Sequence, residues 1–261
     1  MKRRVLLTVA YDGTAYHGWQ LQKNGNTIEA ELNRHLTQLL GEPVQVSGAS
    51  RTDAGVHALG NLAVFDTESK IPPEKISYAL NQRLPEDIRI RGSREVRPDF
   101  HPRRCETRKT YEYRITCGEF PVPTKRLYSH FTYRKMDLKA MQKAAEYLVG
   151  EHDFQSFCAA GNQTETTVRT IYSLSVKEQD GDILIRVCGN GFLYNMVRIL
   201  AGTLMEVGIG HLNPEQMQEI LHARNRQAAG PTAPARGLLL VGYEYPEKEA
   251  APLQEEAQPE D

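Results

Sequence analysis

The sequence predicts an α+β protein made of two halves of similar construction, and three observations predict it. Strand-length apolar runs lie near both ends of the chain, at residues 4–11 and 237–245. Between them, several segments repeat apolar residues at helical spacing and alternate with further strand-like runs. With 261 residues, 40% of them hydrophobic and 25% charged, the chain is long enough for two modest units. We expect these units at residues 1–105 and 106–246.

The first half is predicted to begin with the strand at residues 4–11 and a helix that starts at Asn26. The Asn26 side chain would cap this helix together with Glu29 in a capping box. The apolar face of the helix consists of Ile28, Leu32, Leu36, Leu39 and Leu40. The remaining predicted elements are two strands, a helix and a strand, at residues 43–47, 61–65, 73–83 and 88–91.

The second half repeats this style of construction. A strand at residues 110–116 would turn Tyr111, Tyr113 and Ile115 to one face and the charged residues between them to the other. A helix begins near Asp137. The other predicted elements are strands at 169–178 and 183–189 joined by an Asp-Gly hairpin at 179–182, helices at 192–207 and from 213, and the closing strand at 237–245.

A loop of small residues, GASRTDAGVHA at 48–58, connects the predicted strands of the first half. Within it stand Arg51, Asp53 and His57. Small side chains allow another group to approach the backbone, and a carboxylate held by Arg51 would stay ionised, as a nucleophile or an electrostatic stabiliser requires. Asp before Ala-Gly is also ordinary turn chemistry. The loop alone therefore leaves a structural and a catalytic interpretation open.

The segment at residues 99–114 mixes cations with aromatic side chains. Its cations are Arg103, Arg104, Arg108, Lys109 and Arg114. Such a mixture is typical of surfaces that bind phosphates and bases, and it also occurs on solvated strand faces. Taken alone, this segment is compatible with both.

The formal net charge of −1 conceals an uneven distribution. Residues 247–261 contain six acids and one lysine, a net charge of −5, which leaves +4 on residues 1–246. This acidic tail has few apolar residues and is predicted to be disordered. The mildly basic remainder is compatible with weak attraction to RNA.

No membrane span and no cleavable signal sequence are recognisable, so we expect a cytoplasmic protein with no membrane partner. The four cysteines lie far apart and form no Cys-x-x-Cys pair, which argues against a zinc site and suits a reducing compartment. The sequence also lacks a Walker loop, a complete dinucleotide-binding glycine motif and a His-Glu-x-x-His motif. It therefore predicts neither a metal nor an organic cofactor.

Several motifs together resemble the TruA-type tRNA pseudouridine synthases. The loop string SRTDAGVH at 50–57 is similar to the catalytic signature of that family, whose catalytic aspartate falls on Asp53. Further similar blocks are YDGT at 11–14, FHPR at 100–103, KTYEY at 109–113, NMVR at 195–198 and PARGL at 234–238. These blocks span nearly the whole chain apart from the acidic tail.

The resemblance implies a pseudouridine synthase fold, in which two α+β halves form a mixed sheet with a basic cleft between them. It also implies that Asp53, Tyr111 and Arg198 are catalytic, with Arg198 pairing with Asp53 and Tyr111 stacking on the target uracil. The expected substrate-binding side chains are Tyr111 together with Arg51, His57, Arg103 and Lys109.

The activity that the resemblance implies is the isomerisation of uridine to pseudouridine in the anticodon stem-loop of tRNA, at positions 38 to 40, by a homodimer without a cofactor. Three roles stay open for Asp53: attack on the anomeric carbon, stabilisation of an oxocarbenium with removal of a ribose proton, or addition to C6 of the base. The competing class is a catalytically silent RNA-binding protein or tRNA chaperone. Because such a protein could lose the carboxylate, the joint presence of Asp53, Tyr111 and Arg198 favours the enzyme.

Overall fold

A ten-stranded sheet is the framework of the computed structural model, which describes residues 2–161 and 164–251. The strands are β1 (Arg3–Tyr11), β2 (Ser47–Gly48), β3 (His57–Thr67), β4 (Ile88–Val96), β5 (Arg108–Cys117), β6 (His130–Thr132), β7 (Gly150–Asp153), β8 (Val168–Gln179), β9 (Asp182–Gly189) and β10 (Leu238–Glu244). The helices are α1 (Ile28–Leu40), α2 (Pro73–Asn81), α3 (Leu138–Glu146), α4 (Met196–Gly208), α5 (Gln216–Ala223) and α6 (Glu247–Ala250). The predicted α+β class is confirmed.

The C-terminal strand β10 lies in the middle of the sheet. The strand order is β4-β1-β3-β10-β5-β9-β8-β7, with β2 beside β3 and β6 beside β5. β10 pairs with β3 in parallel, where Leu239 is the partner of His57, and with β5 in antiparallel orientation. The sheet is therefore mixed. Strands from residues 1–105 lie on one side of β10, and strands from residues 106–189 lie on the other.

The main core lies between the sheet and the larger helices. It joins Leu7 of β1 to Leu32 of α1 and Ile76 of α2, and it continues through Tyr113 of β5 to Leu200 of α4. Successive strand residues point to opposite faces, so the residues between these core positions lie on the other face of the sheet. Among the described residues, no helix is long and apolar enough to cross a membrane.

Several elements of the structure were predicted correctly from local sequence signals. Asp137 caps α3, because its side chain accepts a hydrogen bond from the Ala140 N–H at 3.0 Å. Asp180 and Gly181 both adopt positive φ between β8 and β9, as a two-residue hairpin turn requires. On β5, Tyr111 and its neighbours at alternate positions are buried as predicted.

The predicted capping box of α1 is wrong. The cap lies one residue later, since Thr27 rather than Asn26 caps the helix and accepts from the Ala30 N–H at 3.3 Å. The Glu29 carboxylate instead accepts from the Leu21 N–H at 2.7 Å. Glu29 thus binds the backbone of the preceding loop. This tertiary contact cannot be predicted from the local sequence pattern that marks the start of a helix.

The first residues of the acidic tail form a helix, which corrects the expectation of disorder for residues 247–251. Here α6 packs against β4: Ala250 is fully buried in a small cluster with Val96 and Phe100. The Arg97 N–H also donates to the Ala250 carbonyl at 3.3 Å. An apolar patch on the outer face of the sheet therefore holds this segment. The rest of the acidic tail, residues 252–261, lies outside the described residues.

Truncation after Pro246 is expected to destabilise the protein. It removes Ala250 from the cluster and exposes Phe100, which should lower the free energy of unfolding by about 1–2 kcal/mol in urea titrations. Truncation after Ala251 is the matched control, because it removes acidic residues and keeps α6. Equal unfolding free energies for the two truncated chains would show that α6 does not stabilise the fold.

Candidate active site

A cleft of about 570 Å³ opens where the two sets of strands meet. Three of the stretches that line it carry the predicted catalytic residues: the loop after β2 with Asp53, the start of β5 with Lys109 and Tyr111, and the start of α4 with Arg198. These stretches are far apart in sequence. They meet because β10 holds β3 on one side and β5 on the other. The structure thus gathers the three predicted catalytic residues in one place.

The loop that carries Asp53 is fixed by a second loop, residues 12–25, which packs against it. The Trp19 N–H donates to the Thr52 carbonyl at 3.0 Å. Gly18 makes this close approach possible, since it has a φ of +86° and a Cβ on it would lie 2.5 Å from the Thr52 carbonyl oxygen. The Asp53 carboxylate therefore extends from a stretch of backbone that the second loop holds directly before it.

Asp53 forms an ion pair with Arg198, 145 residues away in the sequence. The Arg198 Nη1 lies 3.2 Å from the Asp53 Oδ2 and also donates to Asn195 Oδ1 at 2.8 Å. The Arg198 Nε donates to the Ala233 carbonyl at 2.7 Å. The Asp53 and Arg198 side chains are 22% and 18% exposed, so the pair reaches the cleft but lies largely out of water. Arg198, rather than Arg51 as the loop sequence predicts, holds the carboxylate.

Burial raises the pKa of Asp53 above its ordinary value, and the positive charge and hydrogen bond of Arg198 oppose this rise. A partly desolvated carboxylate with a raised pKa is a stronger base and a better nucleophile than an exposed aspartate. The guanidinium keeps its charged form accessible near neutral pH. The pair can therefore attack an electrophilic carbon, stabilise a developing positive charge or accept a proton.

Tyr111 forms part of the cleft wall and is only 8% exposed. Its ring meets Phe192 edge-on, with ring centroids 5.2 Å apart, and its hydroxyl donates to Ser50 Oγ at 3.5 Å. Burial raises the pKa of Tyr111 to about 12, and the negative charge of Asp53 adds to the rise. The phenol is therefore neutral at physiological pH and offers a ring face and a hydroxyl to a molecule in the cleft.

Three cations line the cleft around this pair, and we call Arg51, Arg103 and Lys109 the cationic rim. Arg51 and Arg103 are exposed, and the Arg103 Nη2 donates to Ser47 Oγ at 3.2 Å. Asp53 is the only carboxylate among the described residues that line the cleft. The lining therefore favours a polyanion such as an RNA backbone.

Lys109 is the least solvated member of the cationic rim. Burial, reinforced by the charges of Arg103 and Arg169, lowers the pKa of Lys109 to about 8. Its ammonium lies 5.4 Å from the centre of the Tyr243 ring.

No three His, Cys, Asp or Glu side chains are grouped to hold a metal ion in the part of the chain that the structure describes.

His57 lies on the opposite face of the sheet, and the structure does not bring it to the cleft as expected. It is the first residue of β3 rather than a loop residue, and strand alternation explains its direction, because Ala58 beside it faces the main core. Its Nε2 donates to the Leu127 carbonyl at 2.9 Å, and its Nδ1 lies 3.1 Å from the Gly13 nitrogen. Its Nδ1 also lies 3.0 Å from Asp12 Oδ1, so both ring nitrogens have partners in neighbouring loops and His57 joins β3 to them.

Phe192 and Asn195 line the cleft, and the sequence predicts both of them within a helix that starts at 192. In the structure α4 starts at Met196, and Asn195 has a φ of +58°, which asparagine tolerates better than most residues. That conformation directs its side chain to Arg198. An asparagine directly before an apolar helical run is the signal that marks such a boundary.

The chain is similar to one protein family over most of its length. A family model described as tRNA pseudouridine synthase matches residues 7–103 and 144–246. Asp53 and Arg198 lie within the matched residues, and Tyr111 lies between the two matched segments.

Two relatives show the extent of the similarity. The tRNA pseudouridine synthase A of Acetivibrio thermocellus is 48% identical over 243 residues, which cover 93% of this chain and 100% of that protein. The tRNA pseudouridine synthase A of Ruminiclostridium cellulolyticum is 49% identical over 244 residues, with 93% and 100% coverage. Among solved structures, a Cbf5-Nop10-Gar1 complex aligns with 77% of this chain and 45% of that chain at 14% identity, with a TM-score of 0.34.

Proposed function

The chain belongs to the tRNA pseudouridine synthase family, and from that premise we propose that it isomerises uridine to pseudouridine in tRNA with Asp53 as its catalytic carboxylate. The observation that carries the proposal is the Asp53–Arg198 pair, 3.2 Å long, in a cleft lined by the cationic rim. A carboxylate paired in this way stays ionised although it is partly desolvated. The rim supplies attraction to RNA phosphates.

The reaction exchanges one bond to the ribose for another. The bond between N1 of uracil and C1′ breaks, the freed uracil turns over, and C5 bonds to C1′. The proton on C5 is lost, and N1 takes up a proton. Substrate and product are isomers, so the exchange consumes no electrons, water or external energy. The protein has to stabilise charge that develops on the sugar or the base and to move a proton.

Asp53 is the group placed to start this exchange. It has three routes: bonding to C1′, removing a ribose proton while stabilising an oxocarbenium, or adding to C6 of the ring. Each route needs an ionised and directed carboxylate. Arg198 provides both conditions, since it pairs with Asp53 while Asn195 and Ala233 fix its own position.

Tyr111 is proposed to receive the target base. A uridine in a stem or a stacked loop has to leave its stack to reach Asp53. The cleft of about 570 Å³ lies within the range of small-ligand sites, roughly 300–1,000 Å³, and accommodates one such nucleoside. The Tyr111 ring, supported edge-on by Phe192, offers a stacking surface for that base.

Finer features of the proposal come from the resemblance: uridines at positions 38 to 40 of the anticodon stem-loop as targets, a homodimer as the working form and a cytoplasmic location. A sedimentation mass of one chain at micromolar concentration would refute the dimer.

The experiment that tests the proposed activity uses a tRNA transcript that carries tritium at C5 of uridine. Because C5 loses its hydrogen when it bonds to C1′, turnover should release tritium to solvent, and mapping of the product should place pseudouridine at positions 38 to 40. Binding of the transcript without tritium release would instead support the catalytically silent RNA-binding class.

The affinity for tRNA is expected to fall between pH 7 and pH 9. Since the pKa of Lys109 is lowered to about 8, its positive charge is lost as the pH rises through that value. Lys109→Arg should flatten this pH dependence, because arginine stays charged. Lys109→Ala should reduce the salt dependence of binding by about one ion. Filter binding at several pH values and salt concentrations measures both effects.

The exposed Lys139 of α3 provides the control for Lys109. Lys139→Ala removes the same charge outside the cleft and should leave the pH dependence of binding unchanged. If Lys109→Arg and the unmodified protein lost affinity equally between pH 7 and pH 9, Lys109 would not contact the tRNA.

A further inference from the structure

A buried amide lies beneath the loop that carries Asp53. Asn61 of β3 is fully buried, and its side chain binds both backbone groups of Ser50. The Ser50 N–H donates to Asn61 Oδ1 at 3.2 Å, and Asn61 Nδ2 donates to the Ser50 carbonyl at 3.0 Å. Two hydrogen bonds to one residue fix the position and the orientation of the backbone there.

Tyr11 of β1 extends this contact to Thr52. Asn61 Nδ2 also donates to the Tyr11 hydroxyl at 3.3 Å, and that hydroxyl lies 2.7 Å from Thr52 Oγ1. The bonded positions 50 and 52 are on either side of Arg51, and Asp53 follows directly. The start of the catalytic loop is therefore hydrogen-bonded to β1 and β3 through buried side chains.

The Ser50 hydroxyl connects the same loop to the opposite wall of the cleft. It accepts hydrogen bonds from the hydroxyls of Tyr111, at 3.5 Å, and Tyr243 of β10. A serine oxygen has two lone pairs, so these two donors fill its acceptor capacity. One continuous network thus runs from Asn61 through Ser50 to Tyr111.

We propose that Asn61 and Tyr11 are positioning residues for the reaction, which set the Asp53 carboxylate in register with the Tyr111 ring through Ser50 and Thr52. This proposal rests on the proposed function of Asp53 and Tyr111. Asn61 and Tyr11 act from beneath the loop, so their loss changes the geometry of the reacting groups and leaves Arg103 and Lys109 of the cationic rim in place. A misplacement of a fraction of an ångström is sufficient to slow a reaction of oriented groups.

Tyr11→Phe tests the proposal, because it removes the hydroxyl and keeps the ring packed against Trp19, 5.9 Å away. The single-turnover rate of tritium release with saturating enzyme should fall about tenfold, as expected for one lost hydrogen bond in the reacting state. The Kd for the transcript should stay within about twofold. Thr52→Val should also slow the reaction, and the double variant should lose no more than Tyr11→Phe alone, since both substitutions remove the same bond between the Tyr11 hydroxyl and Thr52 Oγ1.

Tyr16→Phe is the matched control. Tyr16 is as buried as Tyr11, and its hydroxyl donates to Asp87 at 2.6 Å, outside the network. It should cost similar thermal stability without slowing tritium release. If Tyr11→Phe reacts at the unmodified rate, or if Tyr16→Phe is slowed equally, the positioning role is overturned.

Amide hydrogen exchange gives a readout independent of activity. In Asn61→Ala the peptide that contains Ser50 should lose protection while peptides of α3 and α4 keep it. Unchanged protection at Ser50 would overturn the role of Asn61, and if this variant does not fold, Tyr11→Phe and Thr52→Val decide. If the unmodified protein releases no tritium but exchange at Ser50 responds as expected, the proposed function fails and the network stands as a loop support only.

Discussion

Asp53→Asn is expected to abolish the release of tritium from a tRNA transcript labelled at C5 of uridine, with a single-turnover rate reduced by roughly a thousandfold or more. Asparagine has nearly the same shape and keeps an oxygen that can face Arg198, but it cannot form a bond to C1′ or accept a proton as a carboxylate does. The Kd for the transcript should change by no more than about threefold, because phosphate contacts dominate binding. Filter binding and tritium release on the same preparation separate the two effects.

Asp66→Asn is the control for this substitution. Asp66 also pairs with an arginine, since its Oδ1 lies 2.7 Å from Arg4 Nε, but this pair lies away from the cleft. Its loss should leave turnover unchanged. Residual turnover of Asp53→Asn within about tenfold of the unmodified rate would remove Asp53 from the catalytic role.

Arg198→Ala is expected to slow single turnover at pH 7 by about a hundredfold. Breaking a largely buried ion pair costs about 3 kcal/mol or more, and a loss of that size in the reacting state corresponds to about a hundredfold in rate. Burial already raises the pKa of Asp53, and Arg198 is the group that opposes the rise. Without it the pKa rises further, so less of the carboxylate is ionised at neutral pH.

The pH dependence of the single-turnover rate tests whether a raised pKa of Asp53 causes this loss. In Arg198→Ala the rate should increase as the pH rises through the elevated pKa of Asp53, so the acid limb of the profile should lie at higher pH than in the unmodified protein. Arg198→Lys should fall between the two, because lysine keeps the charge but cannot bind Asp53 and the Ala233 carbonyl with separate nitrogens. Arg4→Ala breaks the pair with Asp66 and should leave the profile unchanged. An Arg198→Ala rate equal to the unmodified rate would show that the pair is dispensable.

Local sequence signals predicted those parts of the fold that local chemistry determines. Asp137 at the start of α3 and the Asp-Gly turn at residues 179–182 are examples, since each forms its hydrogen bonds or turn with adjacent residues. The direction of Tyr111 followed from the alternation of side chains along one strand. Elements whose limits depend on distant contacts were placed less well. The predicted strand at 43–47 is reduced to β2, because only Ser47 and Gly48 pair with β3.

In the candidate site, too, local features were predicted correctly and distant contacts were not. The loop sequence singled out Asp53, but it favoured Arg51 as the partner because Arg51 is adjacent in the sequence. The partner in the structure is Arg198, which β10 and α4 bring to the loop across the sheet. No spacing rule contains that contact, and only the resemblance implied it. His57 was likewise placed in the loop from its position in the sequence. In the structure it is the first residue of β3, and its side chain lies on the other face of the sheet.

The catalytic role of Asp53 is tested by single-turnover tritium release from one labelled transcript, with the unmodified protein, Asp53→Asn and Arg198→Ala compared in the same buffer. We expect the unmodified protein to release tritium and to form pseudouridine at the labelled uridine. We also expect no detectable release by Asp53→Asn, and slow release by Arg198→Ala that increases with pH. Comparable release by Asp53→Asn and the unmodified protein would contradict the catalytic role of Asp53.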